Sequence, residues 1–432
     1  MELMEEILYR YNPWWQGKFI LRGVRKRDRI FAHLKSSIDK KEIVILTGMR
    51  RIGKTTLMRM LIKHLISEKR VKSEKIMYIS LDEYIFKDKT LHEIIDTYRS
   101  IHRLSSFEEI TVFLDEITFL KDYEIQLKNL HDLGGVKIYA SSSSAVLLKK
   151  GQAYITGRTK IIEVSPLDFS EYLDFKGIEI LPGDRHLLKK YFEDFMKSGG
   201  IPDFVLTGDV SYIKQLVDDI IYKDIAAVHG IKNLSLLKDF FLLLMERAGK
   251  SVSVNKIARV LDIAPDTARR YLGLFSDTYL IHLVPRKGKL NEQLRSPKKL
   301  YAGDLGIRVQ YTGFRDIGSI FENYIYFKIA SREPKFILED GIEIDFITED
   351  KTLIEVKYYS KMRDKQKKLY EEFSAEKKVV IDSIEKAESF FGERKVYKKE
   401  LPMAREPYTA YKASGSSAID LGRRPCEMII GK

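Results

Sequence analysis

The segment "TGMRRIGKTT" (residues 47–56) constrains the fold of this 432-residue chain more than any other stretch. It follows the apolar run "EIVIL" and leads into a helical pattern, so its glycines lie between a buried strand and a helix. Residues Gly48 to Thr55 satisfy the spacing G-x-x-x-x-G-K-[ST]. In that arrangement the glycines let backbone N–H groups turn toward phosphate oxygens, and the helix N-terminus adds partial positive charge. The sequence therefore predicts a P-loop that binds a nucleoside triphosphate.

Each part of this loop has an expected role toward the nucleotide. Lys54 bridges the β- and γ-phosphates, and Thr55 is a ligand of the Mg²⁺ that accompanies ATP. We expect ATP to contact Gly48, Met49, Arg50, Arg51, Ile52, Gly53, Lys54, Thr55 and Thr56.

A second apolar run, "ITVFLDE", ends in Asp115 and Glu116. At the end of a buried strand, Asp115 can hold the magnesium shell and Glu116 can polarise the attacking water, which predicts hydrolysis as well as binding. The next strand ends in "YASSSS", where Ser142 is a candidate γ-phosphate sensor. Arg158, in "TGR", either reaches a neighbouring subunit's nucleotide as an arginine finger or pairs with an acidic surface. The first alternative requires a homo-oligomer, and the second suits a closed monomer.

Continuous apolar strands alternate with helical segments from residue 21 to residue 165, which predicts an α/β fold with a parallel sheet covered on both faces. Helical periodicity follows, and then the order helix, helix, helix, strand that is typical of a winged helix-turn-helix. The predicted domains are an N-terminal arm (1–20), a P-loop core (21–165), a helical lid (166–233), a winged helix (234–300) and a C-terminal α/β domain (301–405). The remaining residues, 406–432, match no element, and their "GSS" is typical of linkers and added ends.

The charge of the chain favours a polyanionic partner. Lys and Arg number 75 against 62 Asp and Glu, which gives a net charge of +13 and indicates either DNA binding or a strongly solvated surface. In the predicted winged helix, Arg269 and Arg270 lie on a polar helix face that either contacts DNA or packs within the protein. The single cysteine and the absence of a long apolar run predict a cytoplasmic protein without membrane spans.

The C-terminal stretch "PKFILEDGIEIDFITEDKTLIEVKYYS", Pro334 to Ser360, reads as three short strands joined by two tight turns. Strand alternation places Asp345 on one polar face, and Glu355 and Lys357 on the matching face of the next strand. These charges are either solvated or brought together in a site, and the spacing alone does not decide between the two.

Taken together, several segments resemble archaeal and bacterial ATPases of the AAA+/STAND group that carry an AAA_14-type domain. They are "NPWW", "TGMRRIGKTT", "FLDE", Gly157–Arg158, "PLDFSEYL", "GGIP" and the predicted winged helix, within residues 8 to 400. The resemblance implies that Gly200 to Pro202 contact the nucleotide base and couple the lid to the nucleotide state. The chain departs from the pattern at Ser141, where relatives often have glycine, and it lacks a clear sensor-2 arginine.

The C-terminal order of elements resembles the PD-(D/E)xK nuclease core, as found beside DUF4143-type domains in related ATPases, although the proline of that motif is absent. The resemblance implies that Glu322, Asp345 and Glu355 bind Mg²⁺ or Mn²⁺ and that Lys357 either orients the attacking water or stabilises the pentavalent phosphate. A DNA-processing ATPase with a metal-dependent nuclease module is the function expected from this resemblance. The alternative is a nucleotide switch whose nuclease-like domain binds DNA or protein without cutting.

Overall fold

The structure is a computed structural model, and it describes residues 2–21, 23–145 and 157–392. The predicted tail (406–432) and the last part of the predicted C-terminal domain (393–405) lie outside the described residues.

A five-stranded sheet forms the core of the N-terminal half. Its strand order is β2-β3-β4-β1-β5, and all neighbouring strands are parallel. Every residue of β1 is buried because helices cover both faces of the sheet. The predicted α/β class is thereby confirmed. The strands are β1 (Ile43–Thr47), β2 (Ile76–Ser80), β3 (Ile110–Asp115), β4 (Val136–Ser142) and β5 (Thr159–Glu163).

The helices around this sheet begin where local signals predict them. Thr90 starts one of them with a capping box, in which its side chain accepts from the Glu93 backbone and Glu93 accepts from the Thr90 backbone. The helices are α1 (Glu2–Tyr11), α2 (Asp28–Lys35), α3 (Lys54–Ser67), α4 (Leu91–His102) and α5 (Tyr123–Leu133).

The N-terminal arm covers the edge strand β2. The buried amide of Asn12 donates to the Tyr78 carbonyl at 2.9 Å and accepts from the Tyr78 N–H at 2.6 Å. The indoles of Trp14 and Trp15 both donate to the Ile76 carbonyl, at 3.0 and 2.8 Å. Side chains thus satisfy backbone groups that an edge strand would otherwise leave unpaired, which gives the "NPWW" segment a structural role.

Residues 166–233 are mainly helical, as the sequence predicts. A capping box between Asp168 and Glu171 starts the first helix, and a π-helical turn, Ile220–Ala226, follows the last one. The helices are α6 (Phe169–Lys176), α7 (Leu188–Ser198), α8 (Pro202–Thr207) and α9 (Val210–Asp219).

The next segment has the element order helix, strand, helix, helix, strand, helix, strand. Its three strands form an antiparallel sheet in the order β6-β8-β7. The predicted boundary between residues 300 and 301 falls inside β8. Naming this unit a winged helix stays a prediction. The elements are α10 (Leu234–Glu246), β6 (Ser251–Val252), α11 (Val254–Val260), α12 (Pro265–Asp277), β7 (Ile281–Val284), α13 (Leu290–Arg295) and β8 (Lys298–Ala302).

A four-stranded sheet of order β12-β11-β10-β9 forms the C-terminal unit. Strands β9, β10 and β11 are antiparallel neighbours, whereas β11 and β12 are parallel. The helix, the three strands and the following helix are those that the sequence predicts for this region, whereas the last strand, β12, was not predicted. The elements are α14 (Leu305–Thr312), α15 (Ile317–Ile329), β9 (Lys335–Glu339), β10 (Ile342–Ile347), β11 (Thr352–Val356), α16 (Asp364–Glu372), β12 (Lys377–Ile381) and α17 (Ile384–Phe391).

Two hydrophobic clusters connect these units. The first contains the P-loop side chains Met49 and Ile52 together with Phe240 of α10 and Phe275 of α12. The second joins helices α6 and α7 to α15 and to the C-terminal sheet. The phosphate loop therefore packs directly against the segment that follows the helical region. Among the described residues, no helix has the length and apolarity that a membrane crossing requires.

Candidate functional site

The loop between β1 and α3 has the backbone geometry that its glycines predict. Gly48 has a φ of 141°, and a Cβ atom at this position would lie 2.4 Å from the Val164 carbonyl oxygen. Gly53, with a φ of 99°, precedes the first residue of α3. Any other residue would be strained at either position, so both glycines are required by the loop itself.

The ammonium group of Lys54 is buried inside this loop. It donates to the Gly48 and Met49 carbonyl oxygens at 2.8 and 3.0 Å. Burial lowers the pKa of Lys54, while the nearby carboxylates of Glu116 and Asp115 oppose that shift. A lysine has three donors, and a phosphate oxygen is the partner that suits a buried cation held by neutral carbonyls.

Asp115, at the end of β3, connects β2 and β4 to the start of α3. Its Oδ2 accepts from the Thr55 hydroxyl at 2.5 Å and from the Tyr78 hydroxyl at 2.7 Å. Its Oδ1 accepts a hydrogen bond from the Ser141 hydroxyl. Thr55 and Asp115, the two predicted magnesium ligands, thus lie in direct contact, and both offer oxygen atoms of the kind that Mg²⁺ prefers.

Glu116 lies beside Asp115 with a φ of 52°, which turns its side chain away from the strand direction. Its Oε2 accepts from the Ser143 N–H at 3.2 Å and from the Ser143 hydroxyl at 3.1 Å. Burial raises the pKa of Glu116, and the ammonium of Lys54 opposes that shift. A carboxylate with a raised pKa is suited to accept a proton from water.

Two arginines tie the P-loop to the π-helical turn and the end of α9. Arg50 donates to both carboxylate oxygens of Asp224, at 2.7 and 3.0 Å. Arg51 donates to Asp219 at 2.9 Å. Bidentate arginine–carboxylate pairs are geometrically specific, so the loop that would hold the phosphates is connected to the helical segment by charge as well as by packing.

The structure separates the two serines at the end of β4. Ser141 contacts Asp115, and its hydroxyl also accepts from the Glu116 N–H at 3.0 Å. Ser142 instead accepts from the Ser144 N–H at 3.0 Å. A sensor role for Ser142 stays a prediction, but Ser141 is the serine that contacts Asp115.

Arg158 lies at the amino ends of the parallel strands, directly before β5, whereas the P-loop follows the carboxyl end of β1. Its carbonyl accepts from the N–H of Ile43, the first residue of β1, and its guanidinium pairs with Asp132 at 2.8 Å. Within one chain the guanidinium therefore belongs to a surface ion pair, and the arginine-finger role stays a prediction about an oligomer.

The "GGIP" segment is held between the P-loop unit and β8. The Gly200 N–H donates to Oδ2 of Asp304 at 2.7 Å, and the Gly200 carbonyl accepts from the Leu167 N–H at 2.8 Å. A Cβ atom on Gly200 would lie 2.3 Å from the Leu167 carbonyl oxygen. Pro202 begins α8. Close backbone approach explains Gly200, and a contact between Pro202 and a nucleotide base stays a prediction.

The residues around the P-loop fit ATP with Mg²⁺. Gly48 and Gly53 have backbone conformations that would strain any other residue. The buried Lys54 ammonium lies inside the loop, and Thr55 and Asp115 offer oxygen ligands beside it. This chemistry matches a triphosphate and its metal ion.

The C-terminal acidic side chains also converge, but around a lysine. Lys299 of β8 places its ammonium 2.7 Å from Glu322, 2.6 Å from Glu343 and 2.9 Å from Asp345. Burial raises the pKa of Glu322 to about 7, with the negative charge of Asp345 adding to the shift. Burial alone would lower the pKa of Lys299, yet the Asp345 and Glu322 carboxylates hold it well above its usual value.

Glu355 and Lys357 form a second pair beside this cluster. Lys357 donates to the Glu355 carboxylate, which also accepts from Gln366 at 2.6 Å. Asp345 accepts from the Val356 N–H at 2.9 Å and donates its own N–H to Glu355 at 3.2 Å. Burial raises the pKa of Glu355 to about 8. Glu355 and Lys357 thus contact each other rather than an open cavity.

These residues do not fit the divalent ion that the nuclease resemblance implies. Glu322, Asp345 and Glu355 are predicted to share a metal ion. Instead, the Lys299 ammonium lies between Glu322 and Asp345, and Glu355 accepts a hydrogen bond from Gln366. Among the described residues, no group of three or more His, Cys, Asp and Glu side chains is arranged to hold a metal ion.

The basic residues of α12 and those at and before α16 are exposed, and several have intramolecular partners. Arg269 pairs with Asp266 at 3.0 Å, and Arg270 donates to the His229 carbonyl at 3.1 Å. The basic residues at and before α16 are all exposed: Lys361, Arg363, Lys365, Lys367 and Lys368.

Comparison with known proteins agrees with the P-loop assignment. The model of the family AAA_14, described as an AAA domain, matches residues 40–173, which contain the P-loop and strands β1 to β5. A domain of unknown function, DUF8612, matches residues 189–317. That range runs from α7 to the start of α15 and crosses two of the predicted boundaries.

Several proteins are similar along most of the chain. An uncharacterized protein of Methanocaldococcus jannaschii is 26% identical over 83% of this chain and 84% of its own length. An uncharacterized protein of Haemophilus influenzae is 26% identical over 74% of this chain and 83% of its own length. The solved Walker-type ATPase of Pyrococcus abyssi is 16% identical with a TM-score of 0.42, covering 68% of this chain and 97% of that chain.

Proposed function

We propose that this chain is a Mg²⁺-dependent ATPase that acts as a nucleotide-controlled switch. The observation that carries the proposal is the convergence of Lys54, Thr55, Asp115 and Glu116 at one edge of the parallel sheet. Mg²⁺, when bound with ATP, supplies positive charge that offsets the charge developing on the phosphates. Thr55 and Asp115 would hold the ion, and Glu116 would orient the attacking water and accept its proton.

Two variants should distinguish residues needed for ATP turnover from residues needed for ATP binding. Glu116→Gln keeps the loop and the metal ligands, so ATP should still bind while phosphate release falls by about 10²-fold or more. Lys54→Ala removes the cation that faces the phosphates, so both binding and turnover should be lost. If Glu116→Gln releases phosphate at the wild-type rate, the assigned general base is wrong.

The contacts of the P-loop support a switch as part of the proposal. Arg50 links the loop to Asp224, and Gly200 links the helical segment to Asp304 just after β8. A change in the loop on nucleotide binding would therefore act on both the helical segment and β8. Hydrogen exchange with and without ATP tests this, because the amides of Gly200 and of β8 should change protection. Unchanged exchange in both would contradict the switch.

We further propose that the C-terminal sheet binds DNA without cutting it. The net charge of +13 and the exposed basic residues before and within α16 support phosphate contacts. The paired variant Lys365→Glu with Lys368→Glu should weaken binding of duplex DNA and flatten its salt dependence. As a matched control, Lys69→Glu with Lys72→Glu changes the same charge on another exposed surface and should have a smaller effect. Equal losses would contradict the assigned surface.

A metal-dependent nuclease is the second candidate, because Glu322, Asp345, Glu355 and Lys357 are in one region as that chemistry requires. It would need Lys299 to leave the cluster, with ATP or DNA as the trigger. Incubation of the wild type with duplex, branched and single-stranded DNA, with Mg²⁺ or Mn²⁺ and with or without ATP, distinguishes the two. Cleavage that Asp345→Ala abolishes would establish the nuclease, and its absence under all these conditions supports the non-cutting platform.

A further inference from the structure

A groove lies between the N-terminal arm, helix α3 and the segment that follows β2, and we call it the arm groove. Its volume is about 530 Å³, a size that suits a small ligand or one unit of a polymer. Arg59 of α3 and Glu83 form one wall, and residues of α1 and of the segment 13–21 form the rest. Within the described part of the chain, none of the P-loop residues 48–56 lines the arm groove, so it is separate from the proposed ATP site.

The arm groove carries a net positive charge. Arg10, Lys18 and Arg59 line it, against the single carboxylate of Glu83. Among the described residues, neither Lys18 nor Arg59 has a carboxylate within ion-pair distance. Arg10 pairs with Glu6 at 3.8 Å, and both side chains are mostly exposed, so this pair is weak. Cations that the protein itself leaves largely unneutralised favour an anionic ligand.

Aromatic side chains lie between these cations. Tyr11, Trp14 and Phe19 line the arm groove together with Ile20, which is 72% exposed. The Phe19 ring packs edge-on against Trp14, with ring centroids 4.9 Å apart, and the Tyr11 ring packs against Tyr78 at 5.9 Å. Neighbouring rings thus hold these side chains in place before any ligand binds. Aromatic surfaces in a basic groove suit single-stranded nucleic acid, because bases stack on the rings while phosphates meet the cations.

We propose that the arm groove binds a short segment of single-stranded nucleic acid. Phosphates lie against Lys18 and Arg59, and one base packs against Phe19. A duplex cannot bind in this way, because its bases are already paired and stacked. The proposal concerns the arm groove alone, and it depends neither on ATP hydrolysis nor on the DNA surface proposed for the C-terminal sheet.

Glu83 gives the arm groove a base preference. The Tyr11 hydroxyl donates to Oε2 of Glu83 at 3.0 Å, which leaves Oε1 to accept a further hydrogen bond. Cytosine offers an exocyclic amino group as a donor and thymine does not, so oligodeoxycytidine should bind about 5-fold tighter than oligothymidine. Glu83→Ala should remove that preference without weakening the binding of oligothymidine, because it deletes a negative charge beside the phosphates.

The test is fluorescence anisotropy of a labelled oligodeoxycytidine of about six nucleotides, titrated with the full chain at low salt without ATP. Arg59→Ala and Lys18→Ala should each weaken binding about 10-fold and reduce the slope of log affinity against log salt by about 0.7. Lys63→Ala changes an exposed lysine one turn further along α3 and, as the matched control, should bind like the wild type. The variant Lys365→Glu with Lys368→Glu should also keep its affinity for this oligonucleotide, because α16 does not line the arm groove.

Four results would overturn the proposal. One is a wild-type chain that does not bind oligodeoxycytidine. Another is a folded Arg59→Ala variant, verified by circular dichroism, that binds no more weakly than Lys63→Ala. Displacement of the oligonucleotide by a non-hydrolysable ATP analogue would assign the arm groove to the ATP site, and displacement by an equal concentration of cytidine monophosphate would make it a mononucleotide site. Loss of ATP turnover changes none of these outcomes, so this test and that of the ATPase are separable.

Discussion

Replacing Asn12 by alanine should selectively loosen the edge of the parallel sheet nearest the N-terminal arm. The Asn12 side chain makes three hydrogen bonds, to the Leu8 carbonyl at 2.7 Å and to both backbone groups of Tyr78. Asn12 is fully buried. After the substitution, the N–H and C=O of Tyr78 have no side-chain partner on the exposed side of β2.

The size of the effect follows from the number of these bonds. Each hydrogen bond contributes about 1 kcal/mol net, and a buried group left without a partner costs more, so the expected loss is about 3 kcal/mol. A free energy of 1.4 kcal/mol corresponds to a factor of ten, so the Tyr78 amide should exchange its hydrogen about 10²-fold faster. The Tyr78 hydroxyl contacts Asp115, so the rate of ATP turnover should fall as well.

Native-state hydrogen exchange of the Tyr78 amide is the assay, with a urea unfolding curve as the overall measure. Asn233→Ala is a matched control, because Asn233 makes one exposed capping bond to the Leu236 N–H at 3.0 Å. Losing such a cap costs about 1 kcal/mol. The reasoning is refuted if Tyr78 exchanges at the wild-type rate in Asn12→Ala, or if both variants lose the same stability.

Three further predictions concern single residues. Asp304 is buried and its pKa is raised to about 6. Its contribution to stability is therefore fully present below its unfolded pKa of about 3.9 and is lost as the pH rises through 6. The wild type should lose about 2 kcal/mol relative to Asp304→Asn between pH 4 and pH 7 in unfolding experiments. Gly48→Ala should abolish ATP binding in a fluorescence titration, because its Cβ would lie 2.4 Å from the Val164 carbonyl oxygen. Ser141→Ala removes a donor to Asp115 and should lower kcat for ATP by about 10- to 10²-fold with little change in affinity, and an equal loss of affinity would contradict this role.

The grouping of the residues in the proposed nucleotide site was predictable from sequence because these residues follow strand ends. Parallel strands place their carboxyl ends at one edge, so Lys54, Thr55, Asp115 and Glu116 could be brought together from the order of elements alone. The choice between Ser141 and Ser142 was not predictable in this way. Four consecutive serines carry no periodic signal, and only the orientation of β4 shows which hydroxyl reaches Asp115.

Lys299 was missed for a different reason. Its partners Glu343 and Asp345 lie 44 and 46 residues later in the chain, on a strand of another sheet. Alternation could have placed Lys299 and Tyr301 on one face of the strand "KKLYA", but nothing local indicates that this face is buried. The contact between the three-stranded and the four-stranded sheet depends on the tertiary structure. It places the Lys299 ammonium among carboxylates, two of which, Glu322 and Asp345, were expected to bind a metal ion.

The N-terminal arm carries part of the family resemblance, and the structure shows its physical role. Asn12, Trp14 and Trp15 hydrogen-bond the backbone of β2. The sequence shows two tryptophans next to a proline, but it does not show which strand forms the edge of the sheet. That depends on the strand order β2-β3-β4-β1-β5.

The most direct test of the nucleotide site is the electron paramagnetic resonance spectrum of Mn²⁺ added with a non-hydrolysable ATP analogue. We expect one bound Mn²⁺ that requires the nucleotide. This ion should be lost or strongly weakened in Asp115→Asn and Thr55→Val, and it should persist in Asp345→Asn. A nucleotide-dependent ion unaffected by Asp115→Asn, or the absence of any such ion from the wild type, would contradict the assignment of this sheet edge as the site of ATP hydrolysis.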